Sequence, residues 1–177
     1  MANLDDEPTP GLLHQVQAEL PPLEARVTRS KRRRKTAEAT LKGHIVEIRI
    51  PGASSVAEER HFVEHFLARF ERSRQAELID LEERADHLAE RYGLPSPRSI
   101  RWVSNQDRRW GSCTPADGTI RLSNRMSRFP GWVIDYVIVH ELAHLVEINH
   151  NKRFLRLVES YPLAERARGY LMAKSEG

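Results

Sequence analysis

One apolar segment that carries two histidines and a glutamate constrains this chain of 177 residues more than any other feature. From Pro130 to Val146 the apolar positions form a stripe too wide for a helix on a protein surface, which predicts a largely buried helix. Within this segment stands the motif His140-Glu141-Leu142-Ala143-His144. Two imidazoles and a carboxylate are costly to bury in an apolar helix unless they share a ligand. The segment therefore predicts a polar site built around one buried helix.

The spacing of the motif is suited to a metal ion. Residues four apart on a helix lie on one face about 6 Å apart, so His140 and His144 can reach one ion. Glu141 is rotated off that face, where it can contact a water bound to the ion and act as a general base. His150 follows Asn149, a residue type that tolerates the left-handed conformation with which a helix ends. Three imidazoles and a water would form the open tetrahedral site of a catalytic zinc.

Composition narrows the chemistry and the protein class. Cys113 is the single cysteine, so the chain can form neither an internal disulfide nor a thiolate zinc site. Glu147 and Glu159 are the alternative carboxylate ligands. No stretch approaches the roughly 18 consecutive apolar residues of a membrane span, and the first 20 residues do not resemble a secretory signal. We therefore expect a cytoplasmic protein without a membrane span.

The chain is expected to form one domain preceded by an arm. Residues 1–30 contain four prolines and no sustained periodicity, which predicts a disordered or loosely docked arm before a domain over residues 31–177. Ile48 and Ile50 alternate with charged residues, which predicts a strand, and a hairpin through Lys42 and Gly43 could precede it. Five consecutive cations lie between the arm and this strand: Lys31, Arg32, Arg33, Arg34 and Lys35.

The remaining elements predict an α+β fold. Residues 55–92 lack proline and glycine and have apolar residues at helical spacing, which predicts a long helix or two in sequence, from a capping box at Ser55 to a stop at Gly93. Further strands are expected near residues 99–104, 109–113 and 119–123, and further helices at residues 151–160 and 163–174. We predict a small, mostly antiparallel sheet packed on the long N-terminal helix and on the buried helix, with further helices at the C-terminus.

Several motifs in one order resemble a known family. The histidine motif is followed by Asn149-His150 and Phe154, and it is preceded by Arg109-Trp110-Gly111-Ser112-Cys113 and Gly118-Thr119-Ile120-Arg121-Leu122-Ser123. Together they resemble the YgjP-like metallopeptidase domain family, which is related to the SprT and WLM zincins. The resemblance covers roughly residues 31–171. It implies a zinc-dependent hydrolase of zincin fold, with His140, His144 and His150 as zinc ligands and Glu141 as the catalytic base.

In the segment from Arg109 to Cys113, some residues are expected to contribute to the site and others to the hydrophobic core. Gly111 would let the backbone approach the active-site helix closely. Arg109 and Ser112 are candidate substrate-binding residues, because they could contact substrate or transition-state oxygens. Trp110 and Cys113 are expected to pack in the core.

Three functions are compatible with these features. The leading hypothesis is a metallopeptidase that cleaves peptide bonds through a zinc-activated water, with an edge strand at residues 120–123 that could pair with a peptide or protein substrate. The alternative is a metal-dependent pyrophosphatase that acts on nucleoside triphosphates such as UTP. It draws on the resemblance and on nearby arginines: Arg101, Arg108, Arg109 and Arg121. The cations at residues 31–35 could also bind nucleic acid, as SprT relatives suggest.

Overall fold

The computed structural model describes residues 20–175, and the chain divides into two compact units, Met1–Leu67 and Ala68–Gly177. The first unit contains β1 (Glu24–Ser30), β2 (Glu38–Lys42), β3 (Ile45–Pro51) and the beginning of α1 (Val56–Glu77). The second unit contains the end of α1 and the elements α2 (Leu81–Tyr92), β4 (Ser99–Val103), β5 (Gly111–Thr114), β6 (Thr119–Ser123), α3 (Gly131–Ala143), α4 (Lys152–Val158) and α5 (Ala164–Ser175). The predicted α+β class is confirmed.

The hairpin predicted in the first unit is confirmed. β2 and β3 pair antiparallel, and Gly43 between them has a φ of 61°, a left-handed conformation that favours glycine. Ile48 and Ile50 of β3 are fully buried, whereas Arg49 between them is exposed. The alternation in the sequence therefore identified the buried face of this strand.

β1 is a strand that the sequence did not predict. It pairs with β3 in parallel over seven residues, although residues 1–30 were expected to form an arm. Its side chains are mostly exposed, so no apolar period marks it, and its order comes from backbone pairing with β3. The prediction of an arm is therefore wrong for Glu24–Ser30, and residues 1–19 lie outside the described residues.

The long helical segment forms two helices. α1 begins in the predicted capping box, where the Glu58 backbone N–H donates to Ser55 Oγ over 3.2 Å and the Ser55 N–H donates to Glu58 Oε2 over 2.7 Å. Asp80 begins α2, because its carboxylate accepts a hydrogen bond from the Glu83 N–H over 3.0 Å. Gly93 ends α2 with a φ of 63°. The N-cap at Asp80 therefore divides the segment into two helices.

The second unit contains a mixed sheet with the strand order β4-β6-β5. β4 pairs with β6 in parallel and β5 pairs with β6 antiparallel, so the prediction of a mostly antiparallel sheet is wrong. β5 and β6 are neighbours in the sequence and are joined by the turn at residues 115–118. β4 pairs with β6 although the two strands are distant in the sequence, so no local pattern predicts this pairing. The predicted edge strand at residues 120–123 is also wrong, because β6 is paired on both sides and the edges are β4 and β5.

α3 is the buried helix that the sequence predicts. Nine of its 13 residues are buried, and seven of them pack with Ile120 and Leu122 of β6 in one hydrophobic core. α4 begins directly after Asn151, and α5 covers Ala164–Ser175. The bounds of both helices agree with the predicted bounds within two residues. Packing of the sheet on the long N-terminal helix stays a prediction. Among the described helices, none has both the length and the apolar character needed to cross a bilayer.

Candidate metal centre

The end of α3 and the beginning of α4 bring three histidines together. His140 lies in the last turn of α3, and His144 is the residue at which that helix ends. The chain then turns back so that His150 precedes α4, whose first turn is capped by Asn151. Asn151 Oδ1 accepts hydrogen bonds from the backbone N–H groups of Arg153 and Phe154 over 2.9 and 3.1 Å. This cap fixes the chain directly after His150.

The three imidazoles have the spacing of a metal site. One ligand atom from each of His140, His144 and His150 lies within 4.8 Å of the others. The Nε2 atoms of His140 and His150 are 3.2 Å apart. Two nitrogens bound at about 2.0–2.1 Å to a tetrahedral zinc are separated by about 3.3 Å, so the observed spacing fits zinc. Among the described residues, no other group of three His, Cys, Asp or Glu side chains meets this criterion.

A backbone carbonyl orients the second histidine. His144 Nδ1 lies 3.1 Å from the carbonyl oxygen of Glu147, so Nδ1 is the donor nitrogen and Nε2 is the nitrogen left for a metal. The Glu147 carboxylate accepts a 3.4 Å hydrogen bond from the Asn149 N–H and is not one of the clustered ligands. The sequence does not indicate the role of the Glu147 carbonyl, because no side-chain pattern shows where a backbone carbonyl after a helix will lie.

The Phe154 ring packs against all three histidines of the cluster. Its ring centroid lies 4.9, 4.5 and 4.6 Å from those of His140, His144 and His150, and the residue is 1% exposed. One buried aromatic ring therefore contacts all three imidazoles. The sequence pointed to Phe154 through the family motif, and its place in the first turn of α4, directly after the Asn151 cap, brings it to the cluster.

Burial keeps two of the histidines, His140 and His144, in the form that binds metals. It lowers the pKa of His140 to about 3, with smaller contributions from the positive charges of His144, His150 and Arg168. Burial is also the main cause that lowers the pKa of His144. Both imidazoles are therefore neutral near pH 7, as metal ligands must be.

Glu141 lies against the backbone of β5. The residue is 5% exposed, and a Cβ atom added to Gly111 would stand 2.5 Å from Glu141 Oε1. The close backbone approach predicted for Gly111 is thus confirmed, because no larger residue fits without moving the carboxylate. Burial raises the pKa of Glu141 to about 7, and the charge of Arg109 opposes this shift. A carboxylate with a pKa near 7 suits a general base.

The other residues of the β5 segment have different surroundings. Arg109 is exposed, and its charge reaches Glu141. Ser112 lies opposite Arg121 in the register and accepts a 2.5 Å hydrogen bond from Gln106, so strand alternation directs it away from the face on which Gly111 meets Glu141. Trp110 and Cys113 pack against the hydrophobic core, as expected. Burial and the Glu141 charge raise the pKa of Cys113 to about 11, which keeps its thiol protonated.

Two solved structures are similar to this chain. A structure titled as the metallopeptidase zymogen of Pyrococcus abyssi abylysin is 23% identical with a TM-score of 0.49, and the match covers 55% of this chain and 96% of that one. The metallopeptidase zymogen of Methanocaldococcus jannaschii jannalysin is 19% identical with a TM-score of 0.47, and the match covers 54% of this chain and 97% of that one. A comparison with curated proteins finds no match.

A family model gives the broadest similarity. The model described as YgjP-like, metallopeptidase domain matches residues 13–173, which include the whole second sheet, the histidine cluster and the Gly111 contact. The match begins inside the segment 1–30 that was expected to be an arm. Because it spans most of the sequence, the chain belongs to the YgjP-like metallopeptidase domain family.

Proposed function

We propose that this protein is a zinc-dependent hydrolase that cleaves peptide bonds, with His140, His144 and His150 as the zinc ligands and Glu141 as the general base. The observation that carries the proposal is the convergence of three imidazoles next to one buried carboxylate. Membership of a metallopeptidase family supports a peptide or protein as the substrate.

Residues of this chain have separate tasks in the proposed reaction. A bound zinc supplies Lewis acidity, which makes a water nucleophilic near pH 7 and polarises a carbonyl group. Glu141 takes the proton of the attacking water on its carboxylate and then gives it to the leaving amine. His144 presents Nε2 because its Nδ1 donates to the Glu147 carbonyl. Phe154 excludes water from beneath the three rings.

Arg109 is the candidate for contact with the substrate. It is exposed and close enough to Glu141 for its charge to lower the pKa of that carboxylate. A guanidinium in this position can bind a substrate carbonyl or the negative charge of the transition state. Ser112 stays a weaker candidate, because its hydroxyl is engaged by Gln106 on the other face of β5.

A specific observation also favours the nucleotide alternative. A cavity of about 420 Å³ is lined by Arg108, Arg109 and Arg121, and these guanidinium groups could bind phosphates. Nucleic-acid binding by residues 31–35 stays a prediction, and within that run Arg33 forms an ion pair with Glu38.

The test compares the zinc-loaded wild type with the Glu141→Gln variant on casein and on nucleoside triphosphates. We expect proteolysis by the wild type and a loss of about 10²-fold or more in Glu141→Gln, since general-base catalysis contributes about that much. Glu82→Gln makes the same change at an exposed position of α2 and should retain full activity. Hydrolysis of nucleotides without cleavage of casein would replace this proposal with the pyrophosphatase.

A further inference from the structure

The second unit contains a basic cavity that the proposed catalytic residues do not use. Its volume is about 330 Å³, and its lining combines three cations and two aromatic rings with one acid. We name it the Arg72 pocket, and its lining residues are Arg72, Asp107, Trp110, Arg125, Phe129 and Lys174.

The cations of the Arg72 pocket are not neutralised by ion pairs. Among the described residues, the ion pairs of the structure involve none of Arg72, Arg125 and Lys174. Asp107 supplies the single negative charge, so the lining keeps a net charge of +2 from three cations and one acid. The pocket therefore has an unmatched positive potential.

The Arg125 guanidinium is held in place before any ligand arrives. Arg125 stacks on the Trp110 ring at 4.5 Å and donates to the backbone carbonyl of Asp107. The Trp110 ring in turn packs on Phe129 with centroids 5.1 Å apart, and its N–H donates to Ser175 Oγ over 3.2 Å. Preorganised side chains lose little entropy when they bind a ligand.

One hydrogen-bond donor of Arg72 has no acceptor. Its Nε is buried and has no hydrogen-bond partner. Burial lowers the pKa of Arg72, and the charges of Arg125, Arg128 and Arg69 lower it further, although Asp107 partly offsets them. A buried donor without a partner destabilises a protein, and an anion in the pocket would supply both the acceptor and the opposite charge.

The chain that lines the Arg72 pocket continues directly into the segment that meets the proposed catalytic base. Trp110 directly precedes Gly111, and the Cβ position of Gly111 is 2.5 Å from Glu141 Oε1. Since consecutive Cα atoms are about 3.8 Å apart, the Trp110 Cα lies within about 8 Å of that carboxylate. The pocket lies at the Trp110 ring rather than at its Cα, so a few residues of an extended peptide, at about 3.3 Å per residue, would span the distance. The adjoining strand β5 has a free edge along which such a peptide could lie.

We propose that the Arg72 pocket binds the carboxylate of an acidic side chain a few residues from the scissile bond, so that the enzyme prefers acidic peptides. The inference rests on the proposed peptidase function and adds a substrate class to it. Arginine forks match carboxylates in geometry and charge, and the aromatic walls fit the methylene groups of a glutamate.

Binding is tested without any need for catalysis. The probe is N-acetyl-glutamate methylamide, and the neutral glutamine analogue is the matched ligand. We expect the glutamate probe to shift the NMR signal of the Trp110 indole N–H saturably, and the glutamine analogue to leave it unmoved. Lys174→Glu should abolish the shift, and Asp107→Asn should strengthen the binding. Arg98→Glu makes an equal charge change at an exposed residue directly before β4, outside the lining of the pocket, and should preserve the shift.

Cleavage is tested with quenched peptides that differ only in glutamate or glutamine at each position near the scissile bond. We expect kcat/KM to be about tenfold higher for glutamate at one position, since hydrogen bonds between charged groups contribute about that much. Lys174→Glu should remove the preference, whereas Arg98→Glu should keep it. Equal cleavage of both peptides, with no binding of the glutamate probe, would overturn the pocket proposal and leave the peptidase intact. Probe binding without cleavage of any peptide would instead overturn the peptidase.

Phosphate is the competing ligand chemistry. Inorganic phosphate and UTP are therefore titrated against the same Trp110 signal. If phosphate or UTP binds more tightly than the glutamate probe, and Lys174→Glu abolishes that binding, the Arg72 pocket is a phosphate site. This result would overturn the proposal for an acidic peptide.

Discussion

The contact between Gly111 and Glu141 predicts a large effect from a single methyl group. In Gly111→Ala the new Cβ would lie 2.5 Å from Glu141 Oε1 and 2.9 Å from both Cδ and Cγ. Glu141 is 5% exposed, so its side chain would have to shift within a packed interior. Overpacking of this kind costs about 1–3 kcal/mol of unfolding free energy. A displacement of the general base by about 1 Å should also lower kcat about 10²-fold.

A double-mutant cycle isolates this contact. Glu141→Ala removes all three atoms that the new Cβ would meet, so Gly111→Ala should cost much less in that background. The free energy of unfolding is measured in urea on chelator-treated protein, so that metal binding does not contribute. Gly169→Ala is the control, because its Cβ would meet nothing within 4 Å in α5, and it should stabilise the protein by about 0.5–1 kcal/mol. The same cost of Gly111→Ala with Glu141 and with Ala at position 141 would refute this reasoning.

Three further changes test other parts of the site. Glu141→Gln should raise the unfolding free energy of the metal-free protein by about 3 kcal/mol at pH 8 and by little at pH 4. The reason is that folding raises the pKa of Glu141 from 4.5 to about 7, so the wild type loses stability as pH rises through this range. Urea titrations in which the two proteins differ equally at both pH values would contradict this prediction. Phe154→Ala should cost about 3–5 kcal/mol and weaken metal binding about 10–100-fold in a chelator competition, with a smaller loss in Phe154→Leu. Unchanged metal affinity in Phe154→Ala would mean that this ring does not position the histidines. Asn151→Ala should cost about 1 kcal/mol in thermal unfolding because it removes the cap of α4, and Asn151→Asp should restore most of it.

The local part of the site was readable from the sequence. The four-residue spacing of His140 and His144 and the apolar stripe around them predicted a buried helix that brings both imidazoles to one face, and α3 with its C-cap places them in one cluster. Asn151 marked the cap that returns His150 to the cluster, whereas α3 ends at His144 and not at Asn149 as the sequence suggested. These features depend on helix geometry and on the chemistry of helix ends, which act over a few residues.

The parts that the sequence did not predict depend on distant backbone contacts. β1 has an exposed and mostly polar face, and its pairing with β3 therefore leaves no apolar period. The parallel pairing of β4 with β6 made β6 a central strand, which removed the predicted edge. The carbonyl that orients His144 belongs to the backbone of Glu147, so its role is independent of that residue's side chain.

The proposed metal centre is tested most directly by the metal content of the purified protein, measured by elemental analysis after zinc loading and dialysis. We expect one equivalent of zinc in the wild type and its loss in His140→Ala, His144→Ala and His150→Ala. His87→Ala replaces an exposed histidine of α2 and should retain the full equivalent. A wild type that binds no zinc, or three variants that all retain it, would contradict the proposed metal centre.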